Sequence, residues 1–299
     1  MKKLLLITML LVIIVLAACN SEDSAEQGED NKEEDVEEVN SEDRDEQRDD
    51  DAENKEEKEN LDQKEEQADK EEVVEEIEPQ YQMTDQWTFT PIEDGDPEVV
   101  LLTIDDVPDG QALEMAETLK ELDASAIFFV NGIFMENEKD REIIKQIHDM
   151  GFAIGNHTYS HHNLQDLSEE EQYEEIISLN ELIEEVIGEK PKFFRAPHGA
   201  NTDYASELVK EEGMLLMNWT YGYDYFEPYM EAEKLQEAMI SGKAPEIDVP
   251  NSLLRDGANL LMHDREWTND ALEDIVEGLR EQGYEMLDPE SILTPQDEE

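Results

Sequence analysis

Val99-Val100-Leu101-Leu102-Thr103-Ile104-Asp105-Asp106-Val107-Pro108-Asp109-Gly110 is the stretch whose reading decides the fold. Val99 to Ile104 is β-branched and leucine-rich, the pattern of a strand buried on both faces, and Pro108 and Gly110 punctuate its end. Two adjacent carboxylates therefore stand at the carboxyl end of an interior strand, where open α/β sheets and barrels place their active sites. On an ideal strand Asp105 and Asp106 would point to opposite faces. Both can serve one site only if the strand ends between them and the chain begins to turn. Alone, the pair reads better as a solvated turn of Asp residues before a helix.

Moving outward, strand-like runs alternate with helical patterns. Strands are expected at Val99 to Ile104, Ala126 to Val130, Phe152 to Gly155, Lys192 to Arg195, Leu215 to Trp219, Ala258 to Met262 and Tyr284 to Leu287. Helices are expected at Gln111 to Leu122, Lys139 to Met150, Ser168 to Ile187, Asp203 to Glu212, Ala232 to Ile240 and Asn269 to Gln282. The third helix opens with a capping box, Ser168 with Glu171, and Gly188 with Pro191 closes it. Six or seven alternating βα units make an α/β fold with a parallel sheet or barrel, its functional groups on the loops after the strands.

The termini set the domain organisation. Met1-Lys2-Lys3 followed by Leu4 to Leu16 is a charged and then apolar leader, too short to span a bilayer comfortably. Leu16-Ala17-Ala18-Cys19 resembles a bacterial lipobox, so residues 1–18 are expected to be a lipoprotein signal peptide and Cys19 the lipidated residue. Cys19 is the only cysteine, which excludes an intramolecular disulfide. Residues 19–80 are expected to form a disordered acidic linker, and between Ser21 and Gln80 there are 30 acidic and 7 basic residues. Residues 81–299, where Trp87, Phe89 and Ile92 appear, form the folded domain. That domain carries 52 acidic against 13 basic residues, a field that disfavours nucleic acid as a partner. The expected location is extracytoplasmic, lipid-anchored to the outer face of the bacterial cell membrane, with a monomeric domain.

His157 and His161 follow the third strand at i and i+4, a spacing that puts both imidazoles on one face of a helical turn, in reach of one metal ion. Only six histidines occur in the chain, so this pair is more than incidental. The carboxylates after the first strand supply a third ligand from the same end of the sheet. Two histidines, one carboxylate and an open position describe a catalytic divalent site. Zn²⁺ is the default, with Co²⁺, Ni²⁺ and Mn²⁺ as alternatives. His148 and His162 read as structural or exposed.

Four motifs in order, Thr103-Ile104-Asp105-Asp106, His157-Thr158-Tyr159-Ser160-His161, Phe194-Arg195-Ala196-Pro197 and Leu260-Leu261-Met262-His263-Asp264, are similar to those of polysaccharide deacetylases of the NodB-homology, carbohydrate esterase family 4 type. The resemblance covers roughly residues 95 to 290 and implies a distorted (β/α) barrel with about seven strands. It implies Asp105 as general base, His263 as the acid that protonates the departing amine, and Arg195 as the residue that holds and orients the base. Asp106, His157 and His161 become the metal ligands, the ion polarising the acetamide carbonyl and acidifying a water. The backbone N–H of His198 would face the oxyanion, and Pro197, Leu261 and Tyr225 would belong to the substrate pocket.

The chain departs from the family pattern at His198, where Tyr or Phe is usual, and at Val107, where glycine is usual; glycine permits positive φ and a β-branched residue is penalised there, so the loop holding both aspartates must take another course or carry strain. Asp224-Tyr225 stands for an Asp-Trp pair, leaving open whether Asp224 supports Arg195. The resemblance implies a hydrolase that deacetylates N-acetylated envelope glycan, peptidoglycan foremost. A wall-binding lipoprotein that kept the metal but lost turnover, and an O-acetyl esterase, are the alternatives.

Overall fold

A computed structural model describes residues 78–298. The leader, Cys19 and nearly all of the acidic linker lie outside the described residues. At the centre is β3 (Val99–Val107), with β4 (Ala126–Val130), β5 (Ala153–Asn156), β6 (Phe193–Phe194) and β7 (Leu215–Leu216) following on one side and β8 (Ala258–His263) on the other. β9 (Glu285–Met286) pairs with the first two residues of β3, and every pairing in this sheet is parallel. The chain leaving β7 then reaches β8. Thr220 N donates to Asn259 O and Leu261 N to Tyr221 O, at 2.7 and 2.8 Å. The sheet therefore curls into a distorted barrel, with an irregular segment in place of further regular strands.

Helices α1 (Ala112–Glu121), α2 (Glu138–Asp149), α3 (Glu169–Ile187), α4 (Asp203–Glu211), α5 (Ala232–Ser241) and α6 (Glu266–Glu281) supply the crossovers. The capping box forms as the sequence predicts: Ser168 N donates to Glu171 Oε2 (2.8 Å), Glu171 N to Ser168 Oγ (3.3 Å), and Gly188 ends α3 in the left-handed region at φ 89°. The strands expected at Lys192 to Arg195 and Leu215 to Trp219 shrink to two residues each, because their flanks turn early into loops that carry Arg195 and Asn218. α6 starts three residues before the expected Asn269. A short antiparallel ribbon, β1 (Tyr81–Met83) with β2 (Phe89–Pro91), precedes the barrel and was not foreseen.

Alternation along β3 sorts its side chains. Val100, Leu102 and Ile104 pack into the core shared with the helices, among Met115, Leu119, Leu272 and Val276. Val99 and Leu101 face the other way, into a cluster with Ile127, Phe129, Phe193 and Met217 that the ribbon covers with Tyr81 and Phe89. Each fully buried Leu, Ile or Phe contributes about 1.5–3 kcal/mol, so both faces fix the register of β3.

That register breaks at the aspartates. Between Ile104 and Val107 the pairing with β4 shifts, a β-bulge, and Asp106 takes φ 62°. Asp tolerates the left-handed region better than any β-branched residue. The loop does take another course around Val107, with Asp106 as its left-handed residue. Val107 itself is fully buried in the helix-side core beside Ile104 and needs no left-handed backbone.

The loop after the bulge is pinned from β8. Asp264 accepts from Asp109 N and Gly110 N (2.5 and 3.0 Å) and from Gln111 N (2.5 Å). Gln111, the N-cap of α1, makes no cap with its own side chain, so Asp264 satisfies donors at this helix start from outside. Replacing Asp264 with Ala leaves those donors without their acceptor and should lower stability by about 1–3 kcal/mol. Urea unfolding checks this, and an unchanged midpoint would contradict the role.

Candidate metal and active site

Leu101, Thr103 and Asp105 follow one another on the inner face of β3, the last at its mouth. Arg195, fully buried just after β6, meets this row: Nη1 lies 2.7 Å from Asp105 Oδ1 and 2.8 Å from Thr103 Oγ1. Nη2 donates to Asn218 O (3.0 Å) and Asn259 Oδ1 (3.3 Å), and the guanidinium carbon sits 4.5 Å from the centre of the Phe129 ring. A buried cation is tolerable only when paired and hydrogen-bonded, and Arg195 is both. Asp105 is thus held by one oxygen while Oδ2 looks toward His157 Nε2, 3.5 Å away.

His157, His161 and Asp106 meet beside it, one donor atom of each lying within 4.8 Å of the others. The histidines converge by a different route from the helical turn expected. Residues 157–161 form a loop in which Thr158 (φ 67°) and His161 (φ 57°) are left-handed. Buried Asn131 and Asn156 hold that loop: Asn131 Nδ2 donates to His157 O (2.6 Å) and Thr158 O (3.1 Å), and Thr158 N to Asn156 Oδ1 (2.8 Å).

The donor set fits a divalent cation. His157 Nδ1 lies 2.7 Å from Arg195 O, which can only accept, so the proton is on Nδ1 and Nε2 presents a bare lone pair to the site. Burial lowers the pKa of His157 against the pull of Asp105 and Asp106. Burial also lowers His161, to about 4, with His157 adding to the fall and Asp106 opposing it. Both imidazoles are neutral at neutral pH. His157 Nε2 turns its lone pair toward Asp106 Oδ1 at 3.9 Å, and His161 Nε2 stands 3.3 Å from the same oxygen, so a cation at their centre would be drawn by all three.

His263 ends β8, and the β3–β8 register places it opposite Asp105. Its Nδ1 lies 2.8 Å from Oδ1 of fully buried Asp224, whose Oδ2 accepts from His263 N (2.6 Å) and Thr268 Oγ1 (2.9 Å). Asp224 therefore supports His263 and not Arg195, the role left open by the sequence. Burial alone would lower the pKa of His263, but the charge and hydrogen bond of Asp224, with Asp105 and Asp106 beyond, leave it above the ordinary value.

These groups line one cleft of about 540 Å³. His198, at φ 59°, stacks edge-on to His161 with ring centres 5.0 Å apart, and Tyr225, 42% exposed, stands 5.4 Å from the His263 ring. Leu261 also lines the cleft. Pro197 does not: it is buried and stands outside the wall. Sequence reasoning missed four wall residues, Trp219, Met230, Arg265 and Trp267. Arg265 and Trp267 lie just after His263-Asp264, and only that adjacency could have flagged them. His162 is exposed beside Glu175, and His148 lies on α2 near Glu189, as expected of bystanders.

A parallel, curled α/β sheet thus carries, at its carboxyl end, an Asp-His-His set that could hold a metal ion beside a buried Asp–Arg pair. Residues 93–217 match the polysaccharide deacetylase family. A peptidoglycan-N-acetylglucosamine deacetylase of Bacillus cereus is 37% identical over 123 residues, 40% of this chain and 44% of that protein. PdaC of Bacillus subtilis, a peptidoglycan-N-acetylmuramic acid deacetylase, is 28% identical over 65% of this chain and 38% of its own. The chain thus spans less than half the length of these two relatives. Among solved structures, BA3943 of Bacillus anthracis, described as a carbohydrate esterase family 4 pseudoenzyme, superposes with a TM-score of 0.56 at 28% identity, covering 64% of each chain.

Chelator-stripped protein should take up one Zn²⁺ per chain, and His161→Ala should weaken uptake by more than the roughly 100-fold that loss of a supporting contact can cost. Competition with a chromophoric chelator measures this, and equal affinity in the two proteins would refute the ligand assignment.

Proposed function

We propose that this protein is a metal-dependent hydrolase that removes acetyl groups from N-acetylated glycan of the bacterial cell wall, peptidoglycan foremost. The observation that carries the reading is the pairing of Asp105 with His263 across β3 and β8, beside the Asp106, His157 and His161 donors. A divalent ion bound there would supply a Lewis acid for the acetamide oxygen and would acidify a neighbouring water. Asp105, oriented by Arg195, takes the proton of the attacking water as the new C–O bond forms. His263, protonated and held by Asp224, gives its proton to the sugar nitrogen as the C–N bond breaks, releasing acetate and a free amine. The backbone N–H of His198, a residue of the cleft wall, would donate to the developing oxyanion, while Leu261 and Tyr225 would bound the space for the acetyl methyl and the sugar.

Homology to enzymes named for peptidoglycan deacetylation supports the substrate class. The lipobox around Cys19 supports anchorage on the outer face of the membrane, with the acidic segment giving the domain reach toward the wall. Zn²⁺ is the ion we assign, from the two-nitrogen, one-oxygen donor set. The domain is read as a monomer. Glycan binding without turnover is favoured by one observation, the likeness to a protein described as a pseudoenzyme.

Acetate release from peptidoglycan and from chitooligosaccharides with added Zn²⁺ separates the two readings. Turnover in the wild type, falling about 10²–10⁴-fold in Asp105→Asn, is expected. Glycan binding with no metal-dependent acetate would sink the enzyme reading. Because Asp224 raises the pKa of His263, and His263 must be protonated to act, Asp224→Asn should move the alkaline limb of the kcat/KM profile to lower pH. An unmoved limb would detach Asp224 from that proton.

A further inference from the structure

The deacetylase reading uses one oxygen of Asp106, and this inference rests on the metal-binding part of that reading. Asp106 Oδ1 faces His161 Nε2 at 3.3 Å, while Oδ2 lies 2.7 Å from Nη2 of Arg265. Arg265 is not a loose surface side chain. Its Nη1 donates to Asp109 Oδ2 (2.6 Å) and to Asp264 O (2.9 Å), and the side chain is 29% exposed. The guanidinium therefore spans the two carboxylates of the loop after β3, Asp106 and Asp109, from the turn after β8. Its plane is fixed by contacts that no metal supplies.

We infer that Arg265 is a positioning residue that reserves the outer oxygen of Asp106, so that a divalent ion receives a single oxygen from that carboxylate. The consequence is an open coordination position. A carboxylate free to turn could give both oxygens to the ion and fill the place that water or the acetamide oxygen must occupy. Arg265 prevents this by geometry, with a planar fork that a lysine cannot reproduce. Its charge acts in the same sense on affinity, since a cation beside a divalent ion repels it. Arg265 therefore keeps a coordination position open at the expense of affinity.

The two effects separate in one experiment on the full chain. Metal-free wild type, Arg265→Gln and Arg265→Lys are titrated with Zn²⁺ against a chromophoric chelator, and visible spectra are recorded with Co²⁺. Arg265→Gln should bind Zn²⁺ as tightly as wild type or more tightly, since the ion gains a second oxygen from Asp106 and loses a neighbouring cation. Its Co²⁺ absorption should be weaker, because that second oxygen raises the coordination number. Arg265→Lys should show the same spectral change, because it keeps the charge but lacks the planar fork. Unchanged Co²⁺ spectra in both variants, or weaker Zn²⁺ binding in Arg265→Gln, would overturn the inference. Failure of the wild type itself to bind Zn²⁺ would instead overturn the metal reading on which it rests.

Discussion

One bulged residue governs this site. A regular strand would send Asp105 into the barrel and Asp106 into the helix-side core, where an unpaired carboxylate is prohibitively costly. The shift between Ile104 and Val107 adds one residue to β3 relative to β4. Asp106 thereby leaves the alternation and Val107 takes the apolar slot. The left-handed φ of 62° is the cost, and an aspartate bears it better than its neighbours Ile104 and Val107 could. The bulge is held from both sides, by the buried Val107 side chain beneath and by Asp264 and Arg265 above.

From that bulge follows a division of labour between two adjacent acids. Asp105 is fixed by Arg195, whose own charge is distributed over Thr103, Asn218 and Asn259. Asp106 is turned to the histidines. Each acid has its own cationic partner, Arg195 for Asp105 and Arg265 for Asp106. The neighbouring strands extend the pattern: β5 delivers His157, β6 delivers Arg195, and β8 delivers His263 opposite Asp105. Every group sits at the carboxyl end of a parallel strand, the end at which this architecture leaves room for loops.

Much of this was legible in the sequence. Period and punctuation located six helices and all seven parallel strands, because even the two-residue strands lie in apolar runs longer than themselves, and the four motifs located the chemistry. What stayed hidden depended on backbone dihedrals and on contacts between distant segments. Nothing in residues 157–161 distinguishes a helical turn from a loop with two left-handed residues. Likewise, Val107 in place of the family glycine signals that the loop takes another course, but not that Asp106 is the residue that becomes left-handed. Asp224 was assigned by adjacency to Tyr225, but its partner, His263, is 39 residues away. Arg265 had no periodic or motif signal, since its role comes from loops that meet only in the folded chain. The β1–β2 ribbon is three residues per strand, too short for alternation to show.

The central claim is that the bulge gives Asp106 to the metal and leaves Asp105 to Arg195. Anomalous diffraction at the zinc edge from Zn²⁺-soaked crystals tests it most directly. The account predicts a single strong peak within bonding distance of Asp106 Oδ1, His157 Nε2 and His161 Nε2, with Asp105 uncoordinated and still on Arg195. A peak bridging both aspartates, or none between the two histidines, would contradict it.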